Sequence, residues 1–256
     1  RLERAYIVDN RVSAEDGFAW FVDTLATGDT DNTALEFMGI HAGDGMINCT
    51  FAPAVESWEH WALVAHPSEG YFLYRNGVLE SGCSAETDDD PFAAEIMGIS
   101  GGVVVGSRWD LDTDTDKHFF NAVIDEFFFA PRFLSEDAVR ALAGQVPSPV
   151  PTISIAPTTV ESSAEVLMYF ENSLQNNGTG TDISDIVATG MTYSGTIVEQ
   201  GAYSADFNGH DNYLEFDIGD TDQDTYTFAF WCYFRGYGER LERAYIVDNR
   251  VSAEDG

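Results

Sequence analysis

One duplication constrains this chain more than anything else in it. Residues 1–17, RLERAYIVDNRVSAEDG, recur without a single change as residues 240–256. A perfect match of that length does not arise by chance, and an internal repeat limits what the rest of the chain can be. The two copies are offset by 239 residues. The spacing predicts a tandem array with that period, and these 256 residues cover slightly more than one repeat of it. On that expectation residues 1–144 are the C-terminal part of one repeat, residues 145–165 are a linker, and residues 166–256 are the N-terminal part of the next.

Local patterns point to strands. Runs such as AYIVDN, ALEFMGIH, HWALVAH, GYFLYRN, AVIDEFFFA and TYTFAFWCYF are short and rich in aromatic and β-branched residues. Clusters of Gly, Asp, Asn, Ser and Pro separate them, the spacing expected of an antiparallel sandwich. Asn76-Gly77 is a strong hairpin signal, because a type I′ turn needs positive φ at both central residues. The stretch LSEDAVRALAG predicts one short helix, with Ser135 as N-cap, Glu136 and Asp137 in the first turn, and Gly144 past the end. After it come Pro147, Pro149, Pro151 and Pro157 among many Ser and Thr, an extended linker composition. Within this linker TISIA alternates, placing Ile153 and Ile155 on one face of an expected strand.

Charge and apolar length exclude some functions. The chain has 12 Lys+Arg against 44 Asp+Glu, a formal net charge of −32. Nucleic acid is therefore not an expected partner, since phosphates require basic neutralisation. With 44% hydrophobic and 13% aromatic residues the chain reads as a folded acidic protein rather than a disordered tail. No apolar run reaches the length of a membrane span. Cys49, Cys83 and Cys232 allow at most one intrachain disulfide. Asn48 and Asn177 each open an N-x-S/T triplet, a weak glycosylation signal.

Taken in repeat order, several segments resemble the laminin G-like, concanavalin A-like lectin family. VLMYFENSLQNNGTGTD resembles its first strand and following loop, and GAYSADFNGHDNYLEF its Phe-Asp/Asn-Gly-x-Asp-x-Tyr hairpin. DTYTFAFWCYF, SWEHWALVAH and FLYRNGVL resemble three further strands, and AVIDEFFFAPRFLSEDAVRALA the closing Ile-Asp-Glu strand with its helix. The resemblance implies an all-β antiparallel sandwich of jelly-roll topology with a short C-terminal helix. It also implies a structural Ca²⁺ near Glu171, Asn208 and Asp125, with Asp211 as an added oxygen donor.

Catalytic and EF-hand readings fare worse. Glu215, Asp217 and Asp220 superficially resemble the carboxylate strand of laminarinase-type glucanases. Asp220, however, lies an odd number of residues from the other two, so the pair geometry of a retaining hydrolase is not met. No enzyme is expected. Asp110, Asp112, Asp114 and Asp116 start like an EF-hand loop but lack the Gly at its sixth position and the Glu at its twelfth. Alternation sets Trp231 and Tyr233 on an outer sheet face, and the resemblance implies the same for Phe128; contiguous apolar surface there signals a contact.

These readings together predict a secreted, extracellular structural repeat of a filament, fibre or adhesin stalk. It would be held together by sandwich packing and by addition of the linker strand to a sheet edge. Copies of the chain itself are the expected partners, through Ile153, Ile155, Phe128, Trp231 and Tyr233. The alternative is a glycan-binding module repeated for avidity.

Overall fold

The computed structural model describes residues 3–9, 18–25, 35–42, 45–49, 53–66, 70–80, 83–85, 102–106, 120–145, 164–180, 186–218, 225–236 and 244–250. They form two antiparallel sheets. The order in the first is β12 (Val187–Thr189), β15 (Tyr213–Asp217), β9 (Gly102–Val105), β17 (Ala244–Arg250), β2 (Phe18–Leu25), β3 (Leu35–Ala42), β4 (Gly45–Cys49) and β8 (Cys83–Ala85). Strand β1 (Glu3–Asp9) is also paired with β2. The order in the second is β13 (Thr192–Ser194), β14 (Ser204–Asn208), β10 (Asn121–Ala130), β16 (Tyr226–Phe234), β5 (Trp58–His66), β6 (Gly70–Arg75) and β7 (Val78–Leu79). Strand β11 (Val166–Met168) is paired with β10 alongside these.

Period-two patterning explains why the sheets pack face to face. Trp61, Leu63 and Ala65 of β5 and Phe228, Phe230, Cys232 and Phe234 of β16 point inward from the second sheet. They meet Trp20 and Val22 of β2, Val103 and Val105 of β9, and Leu214 and Phe216 of β15 from the first. The all-β sandwich is thus built by alternation and closed by an aromatic core. The Phe230 ring lies 5.4 Å from Trp20, 6.0 Å from Trp61 and 6.2 Å from Phe127.

A second apolar layer lies on the outer face of the second sheet. Helix α1 (Glu136–Leu142) covers Ala62, Val64, Phe128 and Ala229, and buries its own Val139 among them. Ser135 caps the helix, its hydroxyl accepting from Ala138 N–H. The Asn76-Gly77 turn has φ of 51° and 74° and joins β6 to β7 with Arg75 opposite Val78. A Cβ at Gly77 would sit 3.0 Å from Arg140 Cα, so this turn requires glycine for its φ and for its approach to α1.

The two parts of the chain on either side of residues 146–163 contribute to both sheets. In the second sheet β14 and β16 of the later part flank β10 of the earlier part. Strand β11, which follows the Pro-rich stretch, pairs with β10, which precedes it: Phe127 lies opposite Met168 and Phe129 opposite Val166. Ala164, just before β11, shares one apolar cluster with Val139 and Leu142 of α1, so the described flanks of residues 146–163 are neighbours.

Candidate functional site

The duplicated segment defines one site. In β17, Ala244 lies opposite Val22, Tyr245 opposite Phe21, Val247 opposite Trp20 and Asp248 opposite Ala19. In β1, the equivalent residues Ala5, Tyr6, Val8 and Asp9 face the same four partners. Both copies break register at the same place, between Tyr6 and Val8 and between Tyr245 and Val247. A strand has two hydrogen-bonding edges, and β3 holds one edge of β2. The structure pairs both copies with the same stretch of β2. β17 also pairs with β9, from Val247 opposite Val105 to Arg250 opposite Gly102, so this position is an interior slot of the first sheet.

A second site is the outer face of the second sheet beyond α1. Cross-strand register places Trp231 opposite His60 and Tyr233 opposite Trp58. The rings meet edge to face, His60 to Trp231 at 5.3 Å and Trp58 to Tyr233 at 5.6 Å. Trp231 and Tyr233 are half-buried. Phe128 shares this face but is only 1% exposed, because α1 and Leu167 cover it. It is part of the fold's own second layer and is not a free contact residue. A family pattern names a face but carries no information about what lies above it.

A pocket of about 260 Å³ lies between the end of α1 and this patch, lined by His60, Trp231, Tyr169, Glu126 and Gln200 among others. Gln200 donates from Nε2 to Glu126 Oε2 at 3.0 Å. His60 Nδ1 and Trp231 Nε1 are buried without a hydrogen-bond partner. Burial pushes the His60 pKa down to about 3, so its ring is neutral at physiological pH. Sequence reading missed Trp58, Tyr169, Glu126 and Gln200. Alternation in SWEHWALVAH was signal enough for Trp58, but nothing local flags the other three.

Glu126 reaches the pocket through a bulge. Pairing of β10 with β16 shifts between Asp125 and Phe128, and Glu126 has φ 50°. One extra residue lets both Ile124 and Phe127 face the core and re-aims the pair between them. Asp125, fully buried, turns to the loop before β14 and β14 itself. Its Oδ2 accepts from Glu199 N at 3.3 Å, Gln200 N at 3.1 Å and Ser204 Oγ at 2.9 Å, and its Oδ1 from Glu126 N at 2.9 Å. Burial raises its pKa, and those four hydrogen bonds oppose the rise.

The residues implied for calcium are engaged by the protein's own donors. Both carboxylate oxygens of Glu171 take Ala202 N–H at 3.0 Å. Asn208 Oδ1 accepts from His210 N and Asp211 N, while its amide donates to Asp211 Oδ1 at 2.7 Å. As the side chains are arranged, these oxygens accept from the chain's own N–H and O–H groups. Among the described residues no three His, Cys, Asp or Glu side chains converge as a metal group.

Other expected positions are dispersed or lie beyond view. Glu215 and Asp217 lie on β15, half-buried and exposed respectively. Ile153, Ile155, Asp220 and the run Asp110–Asp116 lie outside the described residues. Among the described residues no helix is long and apolar enough to cross a membrane. Comparison with family models, curated proteins and solved structures returns no match.

Proposed function

We propose that this chain is a structural repeat of a secreted, extracellular filament or adhesin stalk, built as a tandem array of jelly-roll sandwiches of the laminin G-like type. The observation that carries the reading is the shared slot on β2. One copy of the segment reaches it from β16 and the other from β2, so a continuous path from β16 through the segment into β2 is free of conflict. In an array of period 239 that path is the chain itself. Residues 1–144 are then completed by the preceding repeat and residues 166–256 by the following one. Within a single chain the two parts complete each other as a circular permutant, which adjacent chain ends tolerate. Ile153 and Ile155 in the linker strand, with Trp231 and Tyr233, are the contacts between neighbours.

Negative-stain microscopy of the native parent tests this. Filaments or regular rows of beads are expected, and separate particles would overturn the array. The slot has its own test. Tyr6→Pro with Val8→Pro, or Tyr245→Pro with Val247→Pro, leaves one competent copy and a cooperative melt. All four changes together abolish that melt, and an additive outcome would sink the slot.

A glycan-binding role is the second reading, and the pocket favours it. Half-buried Trp231 and Tyr169 supply ring faces, while Glu126 and Gln200 supply polar groups for a neutral, hydroxyl-rich ligand. Glycan-array binding by the intact chain that disappears in Trp231→Ala supports it. Equal signals from both proteins count against it.

A further inference from the structure

The first sheet ends in a matched pair of cysteines. β4 and β8 are antiparallel neighbours whose register sets Ile47 opposite Ala85, Asn48 opposite Ser84 and Cys49 opposite Cys83. Directly opposed residues in such a ladder have Cα atoms about 4.5 or 5.5 Å apart, depending on whether the pair exchanges hydrogen bonds. A disulfide needs a Cα separation of about 4.4–6.8 Å, so either type of pair qualifies. The third cysteine is elsewhere. Cys232 lies on β16 in the other sheet, buried in the core as a free thiol. Burial, with Glu59 adding to it, pushes its pKa well up, which disfavours the reactive thiolate. The three cysteines therefore divide into one opposed pair and one sequestered thiol.

We propose that Cys49 and Cys83 are joined by a disulfide. The ring it closes is not confined to one sheet. From β4 the chain crosses to β5, β6 and β7 of the second sheet, then returns to the first at β8. The bond thus ties the outer edge of one sheet to a hairpin and its neighbour in the other. It also fixes β8, a three-residue strand at the end of the sheet order, where pairing alone frays most readily. Formation is a two-electron exchange with an external disulfide. One thiolate attacks the oxidant and forms a mixed disulfide. The second thiolate then displaces it, and the oxidant leaves as two thiols carrying the two electrons and two protons. The extracellular placement enters only as the source of that oxidant; the pairing rests on strand register.

Peptide mapping of the full chain without reduction tests the bond, both after equilibration in a glutathione redox buffer and on native material. The expected mass is about 2 Da below that of the reduced chain, with one cross-linked peptide joining Cys49 to Cys83. Cys232 becomes alkylated only after denaturation, and the link persists in Cys232→Ser. For a ring of this size, reduction or Cys49→Ser with Cys83→Ser lowers Tm by about 10 °C. Three free thiols in the redox buffer, or a link through Cys232, would overturn the pairing. A bond that forms in the buffer but is missing from native material supports the pairing and overturns the extracellular placement.

Discussion

The two faces of the second sheet are made from the same strands and have opposite characters. The inner face is a continuous aromatic field in which Phe127, Phe129, Phe228 and Phe230 lie against Trp61 and against Trp20 of the first sheet. The outer face alternates with it on either side of the β10 bulge, yet only part of it is covered. α1 seals Phe128, Ala62, Val64 and Ala229, while Trp231 and Tyr233 remain half-buried beyond the helix. Alternation sets up both faces, and a cover then decides which of them is core. The inner face should therefore carry stability, and the open part of the outer face should carry contacts.

The sharpest way to break this comparison is Phe230→Ala. The rings of Trp20, Trp61 and Phe127 pack against that position, and the change should cost about 4 kcal/mol of unfolding free energy, read as a lower denaturant midpoint. A loss under about 1 kcal/mol would mean the inner face is not the main core.

Acid probes the next effect. His60 is buried on the outer face and its pKa is lowered to about 3, against 6.5 for the unconstrained side chain. A base with a depressed folded pKa contributes its full stability above pH 6.5 and loses it progressively as pH falls toward 3. Between pH 7 and pH 4.5 the wild type should lose about 3 kcal/mol that His60→Phe retains. Asp125 acts in the other direction, because its raised pKa favours the folded state as pH falls through the carboxylate range. The comparison is therefore between the two proteins at each pH. Identical profiles would show that His60 is not held neutral by burial.

Val139→Ala tests the cover itself. Two methylene equivalents leave the layer between α1 and the sheet, for a loss of about 1.5 kcal/mol. No loss would mean the helix is not seated there. The smallest stability effect belongs to Tyr233→Ala on the open part, below about 1 kcal/mol, with a measurable drop in self-association by analytical ultracentrifugation. A large loss of stability there would make that part of the face core as well.

Much of the fold could be read directly from residue order. Alternation in TFAFWCYF separated Phe228, Phe230 and Cys232 from Trp231 and Tyr233. Asn76-Gly77 marked its turn, and Ser135 with Gly144 bounded the helix. What could not be read required contacts between distant segments. The bulge at Asp125–Glu126 adds one residue to a strand pattern that looks regular without it. The fate of Phe128 depended on where the helix came to rest. The acids grouped by family resemblance are plain in the sequence, while the N–H groups they accept from appear only in the fold.

In the tandem array proposed above, the shared slot has a consequence for how the repeats are cut and copied. A repeat whose two loops deliver the same strand to the same place is a cyclic word: it has a fixed order of letters and no first one. Any stretch one full period long then contains every strand once, wherever its boundaries fall. Unequal recombination within the gene would preserve the fold whatever the position of the crossover, provided the period is kept. Proteolytic nicking in any single loop would release pieces that can still close on themselves. Only an insertion or deletion that changes the set of strands, not the place where reading starts, would leave an unfilled edge.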